Sequence, residues 1–350
     1  MEENVRLELF TVRQVRDWLE RGTTARGLSE EIIPRTRAWA IVHNPYEYDD
    51  DLVAVAIFVG DIIAAHVSTY PEVINKERYW TFPGLWCAPQ FRGRGYSMIV
   101  MGVIAEQYGA DHCIDKWAAP EAVEIFKYFG LNTMYVPRYI LGVDIKRDTI
   151  KGKLAYFVRS TQRVLHRLFE SPQKQESYAL CYLPYIDDTT YRFISAHNEG
   201  DYFHHEREFL NWVIHYPLTI SAPLMGRVKG ISPFSPSEMP NSQYYAVQVL
   251  DDDVITGFYI LKRKEISLHI LYLYYEDSFK THVFASIRDH VKRFGAEQCV
   301  TENQELANYL NKQIYFPKCS KAEISLSYPS SMSLPSSGKS QYGDCDNFMV

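Results

Sequence analysis

The sequence predicts an α/β protein built as two mixed-sheet domains in tandem. Three observations carry this. Runs of β-branched and aromatic residues alternate with helical stretches, a glycine loop stands between a strand and a helix at residues 90–95, and one pattern of elements recurs in the second half of the chain.

Taken in order, residues 5–11 alternate as a short strand, and Val12, Val15, Trp18 and Leu19 then fall on one helical face. A second helical stretch is expected near residues 29–39, before a polar turn whose Asp49-Asp50-Asp51 run reads as a solvated bend. Residues 52–59 and 62–69 read as a hairpin closed by Gly60-Asp61. The aromatic-apolar run 79–87 is expected as one strand. It is followed by the loop Gln90-Phe91-Arg92-Gly93-Arg94-Gly95 and a helix over 96–108. A strand is expected at 112–118, and Pro120 opens a helix that Gly130 closes.

Two glycines one residue apart let backbone approach an anion closely, and the next helix offers amides without intrahelical acceptors. Arg92 and Arg94 add charge where a pyrophosphate would lie. No Gly-Lys-Ser/Thr follows, so this is not a Walker loop; Met98 stands where a dinucleotide fingerprint needs its third glycine. The pattern Gln/Arg-x-x-Gly-x-Gly/Ala after a strand resembles the hallmark of the GNAT superfamily of acyl-CoA-dependent N-acyltransferases, and Gln90 to Gly95 match every fixed position. The resemblance implies a GNAT fold and acetyl-CoA as co-substrate. Its pyrophosphate would be held by the loop and helix start (Gln90, Arg92, Gly93, Arg94, Gly95, Tyr96, Ser97), with its pantetheine arm along Leu85, Trp86 and Cys87.

One shift in numbering carries Tyr108-Gly109-Ala110-Asp111-His112-Cys113 onto Phe294-Gly295-Ala296-Glu297-Gln298-Cys299. The same shift puts Gln90 opposite Glu276, Gly93 opposite Phe279 and Gly95 opposite Thr281, and a second hairpin around Asp251-Asp252-Asp253 completes the repeat. A Phe and a Thr cannot replace two phosphate-touching glycines, and Glu276 and Asp277 would repel an anion, so the second copy is expected to be degenerate. The expected division is 1–148 as the acyl-CoA-binding domain, 149–177 as a basic amphipathic linker helix, 178–326 as the degenerate copy, and 327–350 as a flexible Ser/Pro-rich tail.

A net charge of −6 offers polyphosphate no general attraction, which argues against nucleic acid as a partner. No apolar run approaches membrane-spanning length. The six cysteines form no CxxC pair or metal spacing and read as reduced thiols, which points to the cytoplasm. His204-His205-Glu206 are consecutive and cannot converge on one ion, so no metal is expected.

N-acyl transfer needs a base for the acceptor amine, donors for the thioester carbonyl, and a proton for the leaving thiolate. Candidates for the base are Asp115 and His66, with His112 and Glu72 also open; Asp115 is preferred because the resemblance points strand residues near the splayed sheet into the cleft. The family's last helix commonly carries Asn-x-x-Ala-x-x-x-Tyr-x-x-x-Gly-Phe, with that Tyr as proton donor. Here Ala122 and Gly130 match, but Ala119, Phe126 and Leu131 replace the Asn, Tyr and Phe. Tyr96 or water must then serve. Phe209-Leu210-Asn211-Trp212 with Pro217 resembles a phrase in tandem acyltransferase-like proteins of surface-sugar pathways, which implies an amino-sugar acceptor. The alternatives are a non-catalytic acyl-CoA-binding regulator and an interaction protein with vestigial folds.

Overall fold

The structure is a computed structural model that describes residues 4–22, 27–142, 161, 178–215, 242–264, 266–314, 316 and 319–345. By contact the described chain divides into two compact units, neither of them one continuous stretch. Unit 1 comprises Met1–Val136, Gly200–Tyr244 and Ile324–Val350; unit 2 comprises Pro137–Glu199 and Tyr245–Glu323. The linker helix expected over 149–177 and Pro217 lie outside the described residues.

Unit 1 opens with β1 (Val5–Thr11) and α1 (Val12–Arg21). Thr11 and Gln14 form a capping box and Gly22 closes the helix at φ 64°, so both ends have their orphan groups satisfied. Val12, Val15, Trp18 and Leu19 are the buried face. The next helix, α2, covers Arg35–Val42, later than expected because Pro34 can sit only before it or in its first turn. β2 (Leu52–Val59) and β3 (Ile62–Ser68) form the hairpin, with Gly60 in the left-handed region at its turn. β4 (Tyr70–Ile74) pairs antiparallel with β5 (Glu77–Thr81), and β6 is the short Trp86–Cys87. The single strand expected over 79–87 is therefore split by Phe82-Pro83-Gly84-Leu85. α3 (Tyr96–Tyr108), β7 (Cys113–Lys116) and α4 (Pro120–Tyr128) follow. α3 packs Val100, Met101 and Ile104 onto Val55, Ile57, Ala65, Val67 and Trp80, the core of this unit.

β8 (Leu131–Gly142) leaves unit 1 at Val136 and enters unit 2. The second repeat then runs β9 (Ala179–Leu183), α5 (Asp188–His197), α6 (Arg207–Ile214), β10 (Ser242–Asp251), β11 (Val254–Lys264), β12 (Ser267–Tyr275), α7 (Lys280–Arg293), β13 (Gln298–Thr301), α8 (Gln304–Gln313) and β14 (Cys319–Pro329). The order matches that of the first half except that β4, β5 and β6 stand where the second repeat has β12 alone. Gly109 and Gly295 both take positive φ after the long helix, 84° and 60°, so the sequence match between them reflects one turn used twice.

The last strand of each repeat is used unexpectedly. In unit 1 the outer partner of β7 is β14, through Leu326–Lys116 and Ser327–Asp115; in unit 2 the outer partner of β13 is β8, through Gln298–Gly142 to Thr301–Tyr139. The tail expected to be mobile over 327–350 is packed chain as far as residue 345. Ser327, Tyr342, Asp344 and Cys345 are buried; Lys116 Nζ donates to Gln341 O at 2.6 Å; and His205 Nε2 meets Asp344 Oδ1 at 3.1 Å. Composition misled here because small polar residues satisfy one another once buried: Ser340 Oγ and Gln341 N both donate to Asp344 Oδ2.

In unit 2, Arg138 Nε and Nη2 both donate to Glu302 Oε1 at 3.2 and 2.9 Å, with side chains only 4% and 2% exposed. Removing one charge of such a pair costs about 3–5 kcal/mol, because the other stays buried. Glu302→Gln should therefore shift the urea midpoint of unit 2 strongly downward, and a midpoint unchanged within error would show the pair to be dispensable. Among the described residues no helix is long and apolar enough to cross a membrane.

Candidate functional site

The site begins where the sheet of unit 1 divides. β5 and β7 run parallel through Trp80–Cys113 and Thr81–Ile114. Beyond that pair, β6 turns to β3 (Ala65–Cys87, His66–Trp86) while β7 turns to β14. Among the described residues β6 is the end strand of its sheet, so Trp86–Cys87 is paired with a strand on one side alone. The break is held from outside the strand: Arg37 Nη1 donates to Pro83 O at 2.9 Å, Ser68 Oγ donates to the same oxygen, and Gly84 takes φ 96°.

After β6, Pro89–Phe91 makes a 3₁₀ turn, and Arg92 N and Arg94 N reach back to Pro89 O and Phe91 O at 3.4 Å. Gly93 and Gly95 take φ 79° and 82°, a region that L side chains enter only at a cost. A Cβ built on either would meet nothing within 4 Å. These glycines therefore do not serve internal packing; they leave open space in front of the backbone. Gly95 caps α3 without a side-chain hydrogen bond, so the first-turn amides keep their donors and the positive end of the helix faces the loop. Gln90, Arg92 and Arg94 are exposed around it; Arg92 Nε donates to Cys87 O at 3.4 Å and the Arg94 guanidinium lies 5.3 Å from the Phe91 ring centre. Leu85, Trp86, Cys87 and Tyr96 pack partly buried against the core. Burial raises the Cys87 thiol, only partly offset by the Ser97 hydrogen bond and by Arg92, so it stays protonated at neutral pH.

The second repeat has no such loop. Its 3₁₀ turn (Asp277–Phe279) runs directly into α7 at Lys280, with Phe279 at φ −105° and Lys280 already helical. The residues opposite Gly93 and Gly95 are thus a helix cap and part of a first turn.

The two base candidates occupy different settings. His66 is 2% exposed on β3, with its ring 5.4 Å from that of Trp86. Neither ring nitrogen has a hydrogen-bond partner among the described residues, and the buried Thr69 hydroxyl likewise has none. Burial, then the nearby Arg37 charge, lower the His66 pKa to about 3, so the ring is neutral throughout the physiological range. Asp115 is 5% exposed on β7, in register with Ser327. Glu72 is fully buried and accepts from Tyr70 Oη at 3.0 Å, while exposed His112 contacts Asp111 at 3.1 Å. Phe126 is buried with its ring 5.8 Å from Phe82, and Tyr128 is 75% exposed, so neither supplies a proton at the gap. His205 is taken up by Asp344 and stacks on Phe209 at 4.5 Å. Arg37 and Ser68 escape a sequence reading, since nothing local links them to Pro83.

No protein-family model matches the chain and no curated protein matches it in sequence. Solved structures do match over nearly its full length. A candidate acetyltransferase of Pyrococcus horikoshii aligns over 97% of this chain and 94% of its own at a TM-score of 0.52 and 10% identity. The chain has the GNAT fold. A tandem GNAT protein from the clavulanic acid biosynthesis pathway aligns over 94% of this chain and all of its own, at a TM-score of 0.50 and 10% identity. A glucosamine N-acetyltransferase region of a fungal multi-domain β-N-acetylglucosaminidase aligns over 93% of this chain and 38% of its own, at a TM-score of 0.50 and 11% identity. Two GNAT-like copies in one chain thus have a counterpart among solved structures.

Proposed function

We propose that the protein transfers an acyl group, acetyl in the first instance, from acyl-CoA to the primary amine of a small molecule. The observation that carries this reading is the Gly93–Gly95 loop, with its glycines turned toward open space at an uncapped helix start. The amides of Gly93, Gly95, Tyr96 and Ser97 would hold the pyrophosphate, Arg92 and Arg94 would add charge, and Gln90 would line the entrance. The free edge of Leu85, Trp86 and Cys87 would pair with the amide-bearing pantetheine arm and bring the thioester to the gap.

Chemistry there asks for a proton acceptor, and Asp115 is assigned as base, acting through water. His66, neutral and with no hydrogen-bond partner at either ring nitrogen among the described residues, is assigned to hydrogen-bond the acceptor or that water. The amine nitrogen would attack the carbonyl carbon, the C–S bond would break, and the thiolate would take its proton from water or Tyr96. Direct attack is favoured over an acyl-enzyme because the thiols nearest the site are protonated; burial pushes Cys113 up to about 12. An amino sugar is the acceptor of choice, a reading the fungal neighbour motivates.

Calorimetric titration with acetyl-CoA should give one saturable site per chain. Absence of binding would sink the proposal, and two sites would overturn the degenerate reading of the second copy. A second reading, an acyl-CoA sensor without turnover, is favoured by Phe126 in the donor position. Thiol release on adding an amine panel to the acetyl-CoA complex separates the two.

A further inference from the structure

Among the described residues β1 is an end strand of the unit 1 sheet, and its outward edge carries an uncommon pattern. Val5, Leu7 and Leu9 point to one face and are 50%, 45% and 47% exposed. Arg6 and Glu8 share the other face, where they form an ion pair at 2.7 Å and the Arg6 guanidinium lies 4.7 Å from the Phe58 ring centre. Edge strands in soluble proteins are commonly blunted by proline, a bulge or charged side chains. β1 has no proline or lysine, and its only irregularity lies at its far end, between Phe10 and Thr11. Its charges are Arg6 and Glu8, of opposite sign, and they decide which pairings it admits.

The segment Val5-Arg6-Leu7-Glu8-Leu9 is complementary to itself when reversed. We propose that the protein forms a two-fold dimer in which β1 pairs antiparallel with β1 of a second copy, centred on Leu7. Symmetry narrows the registers. A two-fold axis perpendicular to the sheet keeps each face on its own side, so only even shifts bring side chains of one face together. Centring on Arg6 sets Arg6 against Arg6, and centring on Glu8 sets Glu8 against Glu8; like charges directly opposite are unfavourable. Centring on Leu7 sets Arg6 against Glu8 twice, Val5 against Leu9 twice, and Leu7 against Leu7. It is the one register in which charge and apolar faces both match.

Sedimentation of the full-length protein should reveal a monomer–dimer equilibrium below about 100 µM, the range of modest protein interfaces. Arg6→Glu and Glu8→Arg should each weaken it about tenfold or more, since each replaces two attractive cross-strand pairs by two repulsive ones. Neither variant retains the Arg6–Glu8 pair within its own chain. An equimolar mixture of the two should nevertheless form a heterodimer, because the two acidic side chains of one copy then face the two basic side chains of the other. Thermal melts of each variant establish that it is folded. A wild-type chain monomeric at all these concentrations, a dimer indifferent to both reversals, or a mixture of folded variants that stays monomeric would each overturn the proposal.

Discussion

A chain ending at Glu323 should fail to assemble unit 1 and should bind no acetyl-CoA. The removed segment supplies the outer neighbour of β7 through Leu326 and Ser327. It also carries the oxygens that receive Lys116 Nζ and His205 Nε2, and the Gln341 side chain that donates to Asp201. Lys116, Asp201 and His205 are all buried, at 2%, 2% and 4% exposure. A buried polar group stripped of a hydrogen bond costs about 1–3 kcal/mol, more when charged, against a total stability of about 5–15 kcal/mol for a domain. Three such losses, with the packing supplied by Tyr342 and Cys345 removed as well, consume most of that margin. Near-UV circular dichroism and titration with acetyl-CoA check the expectation. A truncated protein that binds with unchanged affinity would show that the last strand is decoration.

Gly93→Phe should leave the protein folded and raise the acetyl-CoA Kd at least about 100-fold, equivalent to about 2.7 kcal/mol. The fold tolerates it because a Cβ at Gly93 meets nothing within 4 Å, so the cost is backbone strain at φ 79°, about 1–2 kcal/mol. Binding does not tolerate it, because the ring fills the space assigned to the pyrophosphate. Gly60→Phe is the matched control. It carries similar strain at φ 61°, also points into open space, and lies at a hairpin turn outside the candidate site, so its affinity should be that of the wild type. If Gly93→Phe binds like Gly60→Phe, the loop assignment is wrong.

Local chemistry made part of this architecture legible. The helix read over 96–108 is α3 to the residue, and the stripe Val12, Val15, Trp18, Leu19 is the buried face of α1. Both hairpins follow from turn residues that tolerate positive φ, Gly60 in one and Asp252-Asp253 in the other. The break after Thr81 was hidden in an apolar run, because the groups that hold Pro83 O, Arg37 and Ser68, are remote in sequence. β14 escaped notice for a related reason. Ser327 is read as the start of a flexible tail, and it becomes strand only beside the remote β7, where it lies in register with Asp115. That His66 has no hydrogen-bond partner among the described residues is a property of the packed state, and no pattern of residues announces it.

The use of β14 by unit 1 sets an order of events during synthesis. The loop and its helix are made early, but the strand that borders β7 lies beyond the whole stretch Pro137–Glu323. At about 5–20 residues per second, the ribosome needs on the order of 10–40 s to cross that stretch. Throughout that time the β7 edge and the pocket awaiting Cys345 are uncovered, a state that invites chaperones or wrong strand partners. The half of the protein that is translated first is the half that is finished last.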